Sequence, residues 1–553
     1  MSSIAAYYAG KNVLITGATG FMGKVLVEKL LRSCPKVKAI YILVRPKAGQ
    51  SMQERVTNMM KCKLFDRVRE DFQKKIIPIG SELMLPNLAI SSEDTERLLS
   101  CINVIFHCAA TIRFDEPLKH ALQLNVVATQ QLLVLARQMQ KLDAFIHIST
   151  AYANCNRNHV EEVIYPPTVE PKKLIDSLEW MDESMIQDIT PKLIGDRPNT
   201  YTYTKALAEY VVQQESGDLN IAIIRPSIVG ASWQEPFPVS QPFPGWIDNF
   251  NGPSGLFIAA GKGILRTMRA TNNAVADLIP VDVVVNLTIA AGWYTAVHRP
   301  KVTLIYNCTT GGINPFHWGE IEYHVISTFK RNPLDQAFRR PNANITSNYL
   351  INQYWIAVSH KAPALLYDLY LRLTGQKPRM MKIFNRLHKS MMLLEYFSSK
   401  SWNWSSENMN MLMSQLSIED KRATKHPLCL QHHSPGLHLA CVYRSLTNGP
   451  QHLVFCGQPV LQVPVLFQGV QHPATLKPSG KPHIEASPWS KRLTIHSQYL
   501  TFLNKNNHQT SRVSVKENNM TLHSNVINLH TAIIIKNDDI VSPSICSCDP
   551  VVF

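Results

Sequence analysis

The sequence predicts an α/β protein: a doubly wound parallel sheet, then a helical C-terminal domain, then a disordered tail. Three observations predict it. Over the first 230 residues, short β-branched apolar runs alternate with longer segments of helical period, a Gly-rich turn directly follows the first run, and the composition changes after Asp420. At 553 residues the chain exceeds one compact core and divides into two or three folded units.

Six runs are the expected strands: Asn12 to Thr16, Ile40 to Val44, Ile76 to Ile79, Val104 to His107, Ala144 to Ser149 and Ile221 to Arg225. They are apolar almost throughout rather than alternating, as strands covered by helices on both faces are. Strands that alternate with helices imply parallel crossovers, so residues 1–233 form the first domain. Between Asn154 and Asn199 the pattern lapses into a Pro- and charge-rich insertion, with one helix expected around Lys172 to Ile189 and stopped by Pro191. Residues 234–350, with the loops Pro236-Phe-Pro and Pro242-Phe-Pro-Gly-Trp246, read as a substrate-binding lobe interleaved with the first domain. Residues 351–420 carry aromatics and methionines at helical spacing, which predicts a small helical domain packed on its own core. Residues 421–553 hold eleven of the twenty histidines, only five acidic residues and no sustained periodicity, so they read as largely disordered. Those histidines lack regular ligand spacing, and no metal site is expected.

The formal charge is +15, which favours polyanionic partners: nucleic acid, an anionic membrane surface, or a ligand with several phosphates. Composition does not choose among them. The N-terminus lacks a basic segment followed by a long apolar one, so no secretory signal is expected. Eleven cysteines without Cys-x-x-Cys pairs fit free thiols in a reducing compartment. No stretch reaches the roughly 18 continuous apolar residues that would cross a bilayer.

The chemistry begins at Thr16-Gly-Ala-Thr-Gly-Phe-Met-Gly23, immediately after the first strand. Gly17 permits a tight strand-to-helix turn, Gly20 lets backbone N–H groups approach a pyrophosphate, and Gly23 allows close helix packing. Thr19, Phe21 and Met22 complete the turn as expected cofactor contacts. The second strand ends in Ile42-Leu-Val-Arg45-Pro-Lys47, with cations where an NAD-preferring site would place an acid. Arg45 and Lys47 suit a 2′-phosphate, so the expected cofactor is NADPH. The fourth strand ends in Phe106-His107-Cys-Ala109-Ala110, where small residues let the chain lie against the ribose and diphosphate; Asn125 and Pro226 join the expected cofactor contacts.

The fifth strand ends in Ser149-Thr150-Ala-Tyr152, and about fifty residues later comes Tyr201-Thr-Tyr-Thr-Lys205. Tyr201 and Lys205 at i and i+4 share a helix face, which predicts an ammonium near the phenol and a lowered phenol pKa. Tyr203 faces elsewhere. A hydroxyl from Thr150 or Ser149 would polarise a substrate carbonyl and stabilise the oxyanion formed as hydride arrives. The expected catalytic set is Tyr201, Lys205, Thr150 and Ser149.

With these motifs assembled, the chain resembles the animal fatty acyl-CoA reductases of the peroxisomal type, extended short-chain dehydrogenases with a Rossmann domain. The matching stretches include Ile15-Thr-Gly-Ala-Thr-Gly-Phe-Met-Gly, His147-Ile-Ser-Thr-Ala-Tyr-Ala-Asn, Ile224-Arg-Pro-Ser-Ile-Val-Gly, Ile279-Pro-Val-Asp and Tyr367-Asp-Leu-Tyr-Leu-Arg-Leu-Thr-Gly. The resemblance runs to about residue 422. It implies reduction of a long-chain fatty acyl-CoA to the primary alcohol through a bound aldehyde, with NADPH as donor and coenzyme A released, feeding ether lipid and wax synthesis. By the same resemblance Tyr201 supplies the proton, Lys205 tunes it and touches the nicotinamide ribose, and the partners are acyl-CoA and a membrane rather than nucleic acid. Peroxisomal, cytosol-facing localisation is implied, with a cytosolic form as the alternative because the apolar anchor of the family does not follow Asp420. The second departure is a near-duplication, Glu235-Pro-Phe-Pro-Val-Ser-Gln-Pro-Phe-Pro-Gly-Trp246, which lengthens a loop expected near the acyl site.

Overall fold

The computed structural model describes residues 3–45, 49–68, 73–235, 245–331, 334, 337–424, 501–502 and 511–512. Lys47, most of the duplicated Pro-Phe-Pro loop and nearly all of the tail lie outside the described residues. In the tail, Thr501–Phe502 pairs antiparallel with Ser511–Arg512.

The core is a seven-stranded parallel sheet of β1 (Asn12–Thr16), β2 (Ala39–Val44), β3 (Ile76–Gly80), β4 (Val104–His107), β5 (Ala144–Ile148), β6 (Ile221–Pro226) and β7 (Leu304–Cys308), in spatial order β7-β6-β5-β4-β1-β2-β3. The strand order reverses between β1 and β4, which opens a crevice at their carboxyl ends. Side chains alternate between faces along each strand. Val13, Ile15, Ile40, Ile42, Phe106, Ile146 and Ile224 accordingly enter one buried layer. Leu14, Tyr41, Leu43, Ile105, Phe145 and Ile223 enter the other. Both faces are covered, as the continuous apolar runs require.

The first layer is closed by α1 (Phe21–Ser33), through Val25, Leu26 and Leu30, and by α4 (Val281–His298). The second layer is closed by α2 (Ala128–Arg137) and α3 (Thr200–Glu215). Segment 234–350 therefore gives the sheet its seventh strand and one of its main covering helices.

The insertion differs from the single expected helix. It holds two helices, Pro171–Trp180 and Glu183–Ile194, separated at Asp182, whose carboxylate caps Met185 N–H at 2.8 Å. Pro191 lies inside the second helix and does not stop it; the end comes at Gly195, whose φ of +58° leaves the helical region. Pro191 removes one intrahelical donor, yet the helix closes past it, with Gly195 N–H donating to the Pro191 carbonyl at 3.2 Å.

The C-terminal region is helical. It comprises α5 (Tyr349–Ile356), a π-helical turn Ala357–Lys361, α6 (Ala362–Leu373), α7 (Met380–Ser398) and the shorter Glu407–Gln415 and Ile418–Thr424. It packs through Ile356, Met391 and Leu394 onto a third apolar cluster with Leu256, Phe257, Trp318 and Phe329 from the preceding lobe. No helix among the described residues is long and apolar enough to cross a membrane.

Candidate active site

The site is built at the carboxyl ends of the strands. Gly17 adopts φ +70°, and a Cβ there would meet the Ala109 nitrogen at 2.8 Å. A Cβ on Gly23 would lie 2.2 Å from the Gly17 carbonyl oxygen. Both positions admit only glycine, because the turn, the end of β4 and the first turn of α1 are in direct backbone contact. Gly20 caps α1 without any side-chain bond to the helix N-terminus. The exposed N–H groups and positive helix end are the recognition surface a dinucleotide diphosphate needs, so the turn fits such a cofactor. Thr19, Phe21 and Met22 are half-buried in this turn, and Phe21 stacks on Trp246 at 5.6 Å. Arg45 is exposed at the end of β2.

Several expected contacts brace the turn from beneath. His107 is 1% exposed, and both ring nitrogens are engaged, Nδ1 with the Thr16 hydroxyl at 2.8 Å and Nε2 with the Thr129 hydroxyl at 2.9 Å. The Thr16 hydroxyl also accepts from Ala109 N–H at 3.1 Å, which ties the two strand ends together. Burial, and then the Lys205 charge, pulls His107 down to about 3, so its ring is neutral. The buried Asn125 lies in a π-helical turn, Gln123–Val127; it accepts from Thr111 N–H at 2.9 Å and donates to the Thr204 hydroxyl at 3.0 Å. It thereby fixes α3 beside Lys205. Ala110, half-buried, follows Ala109 along the crevice.

The structure brings Ser149, Thr150, Tyr201, Lys205 and Pro226 together. The Thr150 hydroxyl donates to the Pro226 carbonyl at 3.4 Å, accepts from Tyr152 N–H at 3.3 Å and lies close enough to the Tyr201 phenol to act on its pKa. Ser149 Oγ is buried and has no hydrogen-bond partner among the described residues. A buried hydroxyl without a partner, next to Thr150, leaves one donor unsatisfied at the end of β5.

The expected electrostatics are corrected in one respect. Burial pushes Tyr201 up to about 12, and what pulls it back is the Thr150 hydroxyl, not Lys205. The Lys205 ammonium instead donates to the Ile148 carbonyl at 2.8 Å. Burial lowers Lys205 from 10.5 to about 8, while Glu209 and Cys108 act to raise it.

Two groups of residues escaped the sequence reading. Glu209, one turn beyond Lys205, forms a buried bidentate pair with Arg225, with both bonds at 2.8 Å; Arg225 also donates to the Glu161 and Val163 carbonyls. The other group is an aromatic cover. Phe114 stacks on Tyr201 at 5.6 Å and meets Phe397 at 5.3 Å, and Tyr152 meets Phe397, Trp402 and Trp404 at 5.2, 5.3 and 5.5 Å. Trp402 Nε1 and Tyr396 hydroxyl both donate to the Cys155 carbonyl, at 2.9 and 3.1 Å. The end of α7 thus holds down the loop that carries Thr150. No local pattern announces contacts across some 250 residues; the aromatic density of 396–404 was the one available signal.

A parallel sheet with a glycine turn at its switch point and a Tyr-x-x-x-Lys helix beside a Ser-Thr strand end defines a dinucleotide-dependent reductase of the extended short-chain dehydrogenase kind. Residues 15–288 match the NAD-binding model, and residues 359–424 the Sterile model, both described as male sterility protein. Fatty acyl-CoA reductase 1 of Xenopus laevis is 73% identical over 425 residues, covering 76% of this chain and 81% of that relative. The Homo sapiens fatty acyl-CoA reductase 1 is 69% identical and the Bos taurus fatty acyl-CoA reductase 2 is 63% identical, with the same coverage. The chain belongs to the fatty acyl-CoA reductase family. Its fold is shared with the reductase domain of a nonribosomal peptide synthetase from Mycobacterium tuberculosis, at TM-score 0.51 and 16% identity, over 81% of this chain and 96% of that one. A nicotinamide dinucleotide is the cofactor that this family and turn specify.

Proposed function

We propose that the chain reduces a long-chain fatty acyl-CoA to the primary alcohol with NADPH, releasing coenzyme A and keeping the intermediate aldehyde bound. The observation that carries this reading is the convergence of Tyr201, Thr150, Ser149 and Lys205 beside the glycine turn, in a chain of this family. Reduced nicotinamide, when bound, supplies the hydride for both the thioester and the aldehyde.

The residues handle the oxygen and its proton. In this reading Ser149, whose hydroxyl has no partner among the described residues, and Thr150 hold the carbonyl oxygen. Tyr201 keeps its proton firmly, at about 12, and so meets that oxygen as a neutral phenol. It gives the proton up only as an alkoxide forms, which is a far stronger base than phenolate. Lys205, seated on the Ile148 carbonyl, places a positive charge behind the pair and is available to the ribose. The apolar cover of Phe114, Phe397 and Trp402 keeps water from the reacting carbonyl and offers a surface to the acyl chain. Family resemblance supports assigning the alcohol to ether lipid and wax synthesis, and the chain to the peroxisome. Adding palmitoyl-CoA to protein and NADPH should release free thiol as NADPH is oxidised; bound NADPH with no thiol release would overturn the reading.

Two further outcomes are expected. Arg45, exposed at the end of β2, is assigned to a 2′-phosphate, and a charge-assisted hydrogen bond contributes about 1.5–3 kcal/mol. Arg45→Ala is therefore expected to raise KM for NADPH by about 10–100-fold with little change for NADH; equal effects on both would remove Arg45 from the phosphate site. The second concerns pH. Turnover should fall as pH rises through about 8, where Lys205 loses its proton. Stability should move the other way. The unfolded chain holds that proton to about 10.5, so between about 8 and 10.5 the unfolded state binds more protons and this site's contribution to stability rises with pH. Paired rate and denaturation profiles, with Lys205→Met as control, separate loss of the ammonium from unfolding.

A further inference from the structure

From Tyr349 to Leu373 the chain is helical without a break, since the residues joining α5, the π turn and α6 all keep right-handed helical geometry. Its polarity is reversed. The side turned into the protein is Asn352, Ile356, His360, Ala364, Asp368 and Leu371, and the three polar members are satisfied there. Asn352 Oδ1 accepts from the Thr267 hydroxyl at 3.1 Å, and His360 Nε2 accepts from Arg266 N–H at 2.7 Å. Asp368 accepts from the backbone N–H groups of Arg379, Met380 and Met381 at 2.8–2.9 Å, which starts α7. The opposite side presents Leu350, Tyr354, Val358, Leu366, Tyr370 and Leu373, one ridge at steps of three or four residues with Ala362 between. Leu350, Leu366 and Leu373 are 75, 68 and 79% exposed. An ordinary surface helix turns its apolar stripe inward, and a contiguous exposed stripe of this length marks a binding face.

Charge selects the occupant. Between residues 349 and 394 the sequence has seven lysines and arginines and a single acid, Asp368, which is consumed in capping α7. Lys361, Arg372, Lys377, Lys382 and Arg386 are exposed. A leucine ridge with tyrosines along it and cations at its edges matches an anionic lipid surface: acyl boundary under the ridge, headgroups at the rim. A second copy of the chain is disfavoured, because a twofold contact through this ridge would set one basic rim against the other.

We propose that the Tyr349–Leu373 helix is a docking face that lies in the surface of an anionic membrane. The inference stands apart from the catalytic reading. It is tested by sedimenting the full chain with phosphatidylcholine vesicles prepared with and without phosphatidylserine. Wild-type chain should bind the phosphatidylserine vesicles better. Burying a leucine side chain is worth about tenfold or more, so the triple variant Leu350→Glu, Leu366→Glu, Leu373→Glu should lose at least ~10²-fold in partitioning. Lys361→Glu with Arg372→Glu should lose roughly tenfold on phosphatidylserine vesicles and little on phosphatidylcholine alone. All five side chains are exposed, so none of these changes removes packing, and the far-ultraviolet melting curve checks the fold. Unchanged sedimentation of both variants overturns the proposal. So does a triple variant that turns a lipid-free dimer into a monomer while its vesicle binding stays the same, which would make the ridge a contact between copies.

Discussion

Tyr201→Phe is expected to lower kcat by about 10²–10⁴-fold, the range for loss of a positioned general acid, with dinucleotide affinity unchanged. Phenylalanine keeps the ring that stacks on Phe114 at 5.6 Å, so the aromatic cover and the packing of α3 should survive. What goes is one hydroxyl, close to Thr150 and proposed as the proton donor to the oxygen of the reduced carbonyl. The effect should fall on kcat and kcat/KM alike, because the proton moves only in the transition state. A Tyr201→Phe enzyme within a few-fold of wild type would place the acid elsewhere.

Glu209→Gln is expected to cost about 3–5 kcal/mol of stability, read from denaturant unfolding at fixed pH. Arg225 and Glu209 side chains are 0 and 1% exposed, and the carboxylate receives two guanidinium bonds at 2.8 Å. Removing one partner leaves a buried charge uncompensated, which costs more than the intact pair contributes. Activity should respond as well. Glu209 raises the pKa of Lys205, so its loss should move the alkaline fall in turnover to lower pH. A change below about 1 kcal/mol, as for a solvent-exposed pair, would contradict the burial on which this rests.

The six strands legible in the sequence were those whose residues are apolar on both faces. β7 was not, because Leu304-Ile-Tyr-Asn-Cys is interrupted by Asn307, a buried polar residue that donates to the Val160 and Ser405 carbonyls. α4 hid for the opposite reason: from Val281 to Ala296 it is buried on nearly every side, so it shows no amphipathic period. Among the site residues, the glycine turn and the Tyr201/Lys205 pair were readable because local geometry dictates their spacing. The direction of the Tyr201 shift was not, since i,i+4 spacing says nothing about desolvation or about the Ile148 carbonyl that takes the ammonium. Asp282 shows the same limit. Its motif, Ile279-Pro-Val-Asp, could be read, but its task, accepting from Trp233, Gln234 and Glu235 N–H groups at 2.7–3.0 Å to anchor the loop after β6, depends on tertiary contact.

That one cleft carries both reductions is tested most directly by measuring NADPH consumed, coenzyme A released and alcohol formed in the same reaction with palmitoyl-CoA. Thioester to alcohol is a four-electron change, so two NADPH should disappear for each thiol and each hexadecanol, with no free aldehyde along the way. One NADPH per thiol, with hexadecanal accumulating in solution, would contradict it.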